Sequence, residues 1–170
     1  MKTAIIIGAS TGIGRATALA LSGKYNSISI TSFKHKEELL SLRDELMAKG
    51  CICYCETGDA GDMEFMEKFI QNTIDHLGSD IDLLINAGIS YVGLINDMTA
   101  QDFDRTMKSN VYSVFNSCRL VVPHMIQHHK GHIINISSVW GNVGASCEVA
   151  YSASKGAVNS FSKALGKELA

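Results

Sequence analysis

The sequence predicts an open, doubly wound parallel α/β sheet, and three observations carry that prediction. Short apolar runs alternate with longer amphipathic stretches along all 170 residues. Strand–helix alternation of this kind builds a parallel sheet through right-handed crossovers. Two of the runs, Ala4–Ile7 and Ile81–Ile85, are almost unbroken apolar, as parallel strands covered on both faces must be. The first run passes directly into Gly8-Ala9-Ser10-Thr11-Gly12-Ile13-Gly14, a small-residue turn that opens a helix.

Taken in order, Ala4–Ile7 is the first strand, and the helix after the glycine turn follows it. Ile28–Thr31 is the second strand, and Leu39, Leu42, Leu46 and Met47 space the next helix at 3.6-residue intervals. Cys51–Cys55 reads as strand three, followed by a helix on Met63, Met66, Phe69, Ile70, Ile74 and Leu77. Ile81–Ile85 is strand four. A long helix is expected from Ala100 to His129, with a break near Pro123 where the imide lacks a donor. Ile133–Ser137 is strand five, and the last helix is expected to begin near Tyr151. Strand order 3-2-1-4-5 puts the switch point between strands one and four, where ligands of such sheets bind beyond the carboxyl ends. The whole chain, 1–170, reads as one domain.

The bulk composition narrows the function. Apolar residues make up 46% and charged residues 19%, and the net charge is −2. That charge gives no reason to expect nucleic acid or an anionic membrane as a partner. The early apolar run is too short for an export signal or a membrane span, so a cytoplasmic protein with five reduced cysteines is expected. Cys51, Cys53 and Cys55 alternate, so they line one face of a strand in a row rather than converging on a metal. They read as small buried hydrophobes, and no metal site is expected. His124, His128, His129 and His132 have no carboxylate at matching spacing and read as a solvated rim.

Two devices carry chemistry. Glycines at Gly8, Gly12 and Gly14 let a backbone approach a phosphate closely, while the helix N-terminus beyond them favours the anion. Ser10, Thr11 and Ile13 complete that loop. The second device is Tyr151-Ser152-Ala153-Ser154-Lys155. Tyrosine and lysine four apart share a helix face, and a nearby ammonium favours the phenolate of a group that normally titrates near ~10. A phosphate-binding turn and a phenol made acidic together place a nucleotide and proton transfer in one site.

Gly8-x-x-x-Gly12-x-Gly14, Asn86-Ala87-Gly88, Asn110, Ser138 and Tyr151-x-x-x-Lys155, in that order and over the whole chain, resemble the short-chain dehydrogenase/reductase family of the single-domain, Rossmann-type kind. The resemblance implies transfer of hydride between nicotinamide and a ketone or secondary alcohol. It implies that Tyr151 is the proton donor, that Ser138 orients the carbonyl oxygen, and that Lys155 also grips the nicotinamide ribose. Asn110 would hold a relay water. It further implies that Asp59 and Ala60 hold the adenine edge and that Asn86, Ala87 and Gly88 line the ribose side. Strand two ends at Ser32, with Phe33 and Lys34 next and no acid to accept from a ribose 2′-hydroxyl. NADP (as NADPH) is therefore expected over NAD, with Lys34 either the selector or a surface lysine. Thr11 departs from the basic residue that many NADP-preferring relatives carry there.

Relatives of this pattern reduce 3-oxoacyl groups on a carrier protein, among other ketones. The stretch Ser137–Gly141 with Gly144–Tyr151 is similar to the branch that reduces a 5-aminopentanone modification on elongation factor P, so the substrate is a small-molecule or protein-tethered ketone. Glu148 could pair with a cationic amine or be a solvated loop acid, and Trp140 could be a substrate wall or core packing. A non-catalytic dinucleotide-binding module is the reading from another class. The family pattern has two further strands and a substrate-covering loop beyond Ala170. Strand five is accordingly expected to be an exposed edge of a longer reductase or of a chain completed by another. The helices of Ala100–Met125 and after Tyr151 are the family's pairing surfaces, so a homo-oligomer is expected.

Overall fold

A computed structural model describes residues 2–170. Five parallel strands lie in the order β3-β2-β1-β4-β5, as the sequence predicts. They are β1 (Lys2–Ile7), β2 (Ser27–Ser32), β3 (Ile52–Thr57), β4 (Asp80–Ile85) and β5 (Ile133–Asn135). The helices between them are α1 (Gly12–Leu21), α2 (Lys36–Ala48), α3 (Met63–Leu77), α4 (Ala100–Met107) and α5 (Ser113–His128), with a π turn at Lys108–Tyr112 joining the last two. α6 (Trp140–Val143) and α7 (Val149–Glu168) follow β5.

Period-two alternation along β1 divides the core. Ile5 and Ile7 face a cluster with Met66, Phe69, Leu83 and Val121, while Ala4 and Ile6 face one with Ile28, Ile30, Leu39 and Leu42. Both faces of β1 are thus dry, which is why the run must be apolar throughout. Full burial of each large side chain contributes ~1.5–3 kcal/mol. Local signals set the helix ends. Asp62 caps α3 by accepting from Phe65 N at 3.1 Å, and Thr99 with Asp102 forms a capping box on α4.

Several boundaries differ from the sequence expectation. β5 ends at Asn135 rather than Ser137, because its pairing with β4 stops where β4 ends at Ile85. β3 starts at Ile52 because Cys51 turns its thiol to the carbonyls of Ser22 and Tyr25; Cys53 and Cys55 do pack on the α2-side core. α5 runs through Pro123 without a break. Pro123 and Arg119, whose carbonyl loses its donor, both lie on the exposed face, so water replaces the missing bond. The interruption falls instead at the π turn. Finally, α6 adds a short helix where a loop is expected, and α7 begins two residues before Tyr151.

The end of the sheet away from the glycine turn is tied by Asp82. Its carboxylate receives Lys2 Nζ at 2.7 Å, His132 N at 2.8 Å and the Tyr25 hydroxyl. His132 Nδ1 also lies 3.1 Å away and His128 bonds Ser79, so these two histidines are engaged rather than simply solvated. Burial alone would raise the Asp82 carboxyl, but the bonds from Lys2, Tyr25 and His132 outweigh it and hold the pKa below the ordinary value. β5 pairs with β4 through Leu83–Ile85, and Ile134 on it is 53% exposed. A depressed carboxylate pKa contributes stability that is present above the unfolded value near ~4 and is lost as pH falls through the folded one. In acid-denaturation melts below about pH 4 the wild type should therefore lose stability faster than Asp82→Asn, which no longer has that carboxylate to protonate.

Candidate functional site

The cleft opens at the carboxyl ends of β1 and β4. Ile7 O accepts from both Asn86 N and Ala87 N, at 2.9 and 3.0 Å, and Asn86 Nδ2 donates to Gly8 O at 3.1 Å. Two glycine positions are sterically fixed. A Cβ on Gly8, at φ +82, would fall 2.7 Å from Ala87 N, and one on Gly14 would fall 2.1 Å from Gly8 O. Only a residue without a side chain lets these two turns close on each other. Thr11 and Gly12 are exposed at the mouth, Ile13 is 58% exposed, and buried Ser10 bonds Ser32 Oγ to Oγ at 2.8 Å.

A cavity of about 300 Å³ follows. It is bounded by Gly8, Ser10 and Thr11 on one side, Ser32 to His35 at the end of β2, and Asn86 to Ile89 below. Lys34 lies over the Phe33 ring at 5.8 Å. Asp59 borders the cleft, accepting from Gly61 N at 2.9 Å and pairing with Lys108 at 3.1 Å. Ala60 is buried, and its carbonyl accepts from Asn116 Nδ2. It lines a smaller recess with Thr31 and Asp59. Thr31 Oγ1 is buried with no hydrogen-bond partner. The fixed glycine turn and the helix N-terminus beyond it fit the pyrophosphate of a dinucleotide. Arg105, Lys108 and Ser109 also border the cleft. The sequence reading does not single them out, although two basic residues one turn apart just before Asn110 were the available signal.

The second half of the site hangs on α7. Lys155 is 5% exposed, and its Nζ donates to Ile136 O at 2.8 Å. It stands 5.7 Å from the Tyr151 ring centroid. A Cβ on Gly88 would lie 3.1 Å from Asn110 Oδ1 and 3.4 Å from Lys155 Nζ, so Gly88, Asn110, Tyr151 and Lys155 converge. Asn110, wholly buried in the π turn, accepts from Ile89 N at 2.7 Å and donates from Nδ2 to Ile89 O at 2.8 Å and to Ser154 Oγ at 2.9 Å. Both hydrogens of its side-chain amide are therefore taken by protein, and its oxygen accepts one bond. Ser138 follows β5, and its Oγ accepts from Trp140 N at 3.2 Å. The same turn is anchored to α7 by Ser137 Oγ donating to Lys155 O at 3.2 Å. Trp140 is 40% exposed. Glu148 lies immediately before α7 and accepts from Ser90 Oγ at 3.2 Å, while Gly93 N bonds Cys147 O, so the loops after β4 and before α7 are joined across the mouth.

Burial lowers the Lys155 ammonium pKa from its ordinary 10.5. The charged form thus opposes folding, and the penalty fades only as pH rises from the folded value toward 10.5. Desolvating an ammonium costs several kcal/mol, more than the ~1–3 kcal/mol one charged hydrogen bond returns. Lys155→Met should accordingly melt at or above the wild-type temperature in differential scanning fluorimetry at pH 7; a fall of several degrees would show that the lysine is there for stability.

A family model described as short chain dehydrogenase matches residues 2–170. The chain is 33% identical over 170 residues to the 3-oxoacyl-[acyl-carrier-protein] reductase FabG of Staphylococcus aureus strain Mu50, covering 99% of this chain and 69% of that one. It is 32% identical to the uncharacterized oxidoreductase YmfI of Bacillus subtilis strain 168, with the same coverages. Among solved structures, an actinorhodin polyketide ketoreductase with NADPH superposes with a TM-score of 0.93 at 28% identity. That match covers 99% of this chain and 65% of the other, so the present chain spans just under two thirds of the ketoreductase.

Proposed function

Since the chain belongs to the short-chain dehydrogenase family, whose members are NAD(P)-dependent oxidoreductases, we propose that it reduces a ketone with NADPH in the manner of a 3-oxoacyl reductase. The observation that carries this reading is the convergence of Gly88 of the cofactor cleft with Asn110 and Lys155. Bound NADPH would supply the hydride. The backbone of Gly8 to Gly14 and the start of α1 would hold its pyrophosphate, and Asp59 and Ala60 its adenine. Lys155 would grip the nicotinamide ribose from its place 5.7 Å from the Tyr151 ring centroid. Tyr151 donates its proton to the carbonyl oxygen of the substrate, and Ser138 donates a hydrogen bond that orients that oxygen. Positioned acid catalysis of this kind contributes ~10²–10⁴-fold.

NADPH is preferred over NADH on this reading because β2 ends in Ser32 and Lys34 rather than in an acid. The preparation is expected to pair through α4, α5 and α7 into a homo-oligomer. A second substrate reading follows from Glu148, whose carboxylate faces Ser90 across the mouth: a ketone bearing a cationic amine, as in the 5-aminopentanone group of modified elongation factor P. A panel containing a 3-oxoacyl thioester and an amino ketone distinguishes the two.

Tyr151→Phe should reduce NADPH-dependent turnover of the best ketone by at least about a hundredfold, while leaving NADPH-induced fluorescence enhancement intact. Binding without turnover in the wild type would instead favour a non-catalytic dinucleotide module. Lys34→Glu should cut the affinity ratio of NADPH over NADH by at least about tenfold, since a 2′-phosphate then meets an acid in place of an ammonium; an unchanged ratio in paired titrations would remove Lys34 as the selector.

A further inference from the structure

On the reading of the site given above, we propose that Ser154 is a positioning residue that locks the first turn of α7 to the cofactor-side segment after β4. The Ser154 side chain is wholly buried. Its hydroxyl carries one hydrogen and makes two bonds: to Tyr151 O at 2.7 Å and with Asn110 Nδ2 at 2.9 Å. The amide nitrogen can only donate and the carbonyl can only accept, so the direction of both bonds is fixed. Asn110 in turn holds Ile89 by its N–H and its C=O. One continuous chain therefore runs from the backbone beside Gly88, through the π turn, to the carbonyl of Tyr151 itself.

The bond from a helical serine back to the carbonyl three residues earlier is an ordinary local contact. The bond to Asn110 is not, because it joins residues 44 apart in sequence. An alanine would keep the helical position, but it would leave a buried donor of Asn110 without its acceptor. The hydroxyl is the group of Ser154 that hydrogen-bonds the π turn. Without it, one Nδ2 hydrogen of buried Asn110 has no acceptor, and the clamp on Ile89 loosens beside Gly88, whose Cβ position lies 3.4 Å from Lys155 Nζ. The distance between the Tyr151–Lys155 pair and a bound nicotinamide then has no fixed value. Rate should suffer from this and ground-state binding should not, because misplacement of reacting groups acts on the transition state.

The test compares Ser154→Ala with Ser154→Cys, the nearly isosteric variant that keeps the packing if alanine fails to fold. Both are measured in the full chain with NADPH and the best ketone of the panel. The expected result is a loss in kcat on the order of tenfold. The KM and the NADPH dissociation constant should stay within about twofold. Ser154→Thr, which keeps a hydroxyl, should recover part of the rate if it folds. A variant with unchanged kcat overturns the proposal, as does one in which rate, cofactor affinity and melting temperature fall together. The clamp can also be followed without turnover, by hydrogen exchange at the Ile89 amide, which donates to Asn110 Oδ1. If the wild type reduces no ketone, the function proposed above fails by itself, whereas Ile89 amide exchange unmoved by Ser154→Cys sinks the role of Ser154.

Discussion

Everything in the cleft depends on how closely the turn after β1 approaches the turn after β4. Ile7 O takes both amides of Asn86 and Ala87, and Asn86 Nδ2 returns to Gly8 O. At that separation a side chain on Gly8 would strike the Ala87 backbone. The parallel pairing of β1 with β4 over Lys2–Ile7 brings the two turns together. That register in turn rests on a strand buried on both faces. A crevice at the switch point is thus a consequence of strand order, and the glycines make it narrow enough for backbone amides to reach a phosphate.

The opposite wall is built with different physics. α7 brings an ammonium into a nearly dry position and satisfies it with one carbonyl, that of Ile136. Such a group weakens the fold in order to charge the site, a conflict between stability and activity that is common where chemistry is done. The π turn belongs to the same pattern. The widened turn between α4 and α5 places Asn110 where its amide meets Ile89 and Ser154 at once.

The sheet and its order were legible because both depend on periodicity, which β1 and β4 display with almost no exception. The glycine turn and the Tyr151/Lys155 spacing were legible because their chemistry is local. What the sequence did not disclose is of two kinds. Pro123 looks like a break, yet the missing donor faces water, so the helix continues; exposure on a helix face decides this and is not written in the residue itself. Ser154, Arg105 and Lys108 gain their significance from partners or surfaces brought together only by the crossovers, as with Ser154 and Asn110, and no short-range pattern announces such pairs. The loop before α7 held a helical turn, α6, for the same reason: it forms where Gly141 packs against the α7 backbone at Lys155.

The central claim is that the glycine turn and the Tyr151/Lys155 helix serve one transfer of hydride to a carbonyl carbon. NADPH deuterated at C4 of the nicotinamide, incubated with the chain and the best ketone in ordinary water, tests it most directly by mass spectrometry of the alcohol. The account predicts one deuterium on the carbinol carbon of the product. An alcohol free of deuterium when either C4 position is labelled would contradict it, because the hydrogen would then have come from solvent and not from the cofactor.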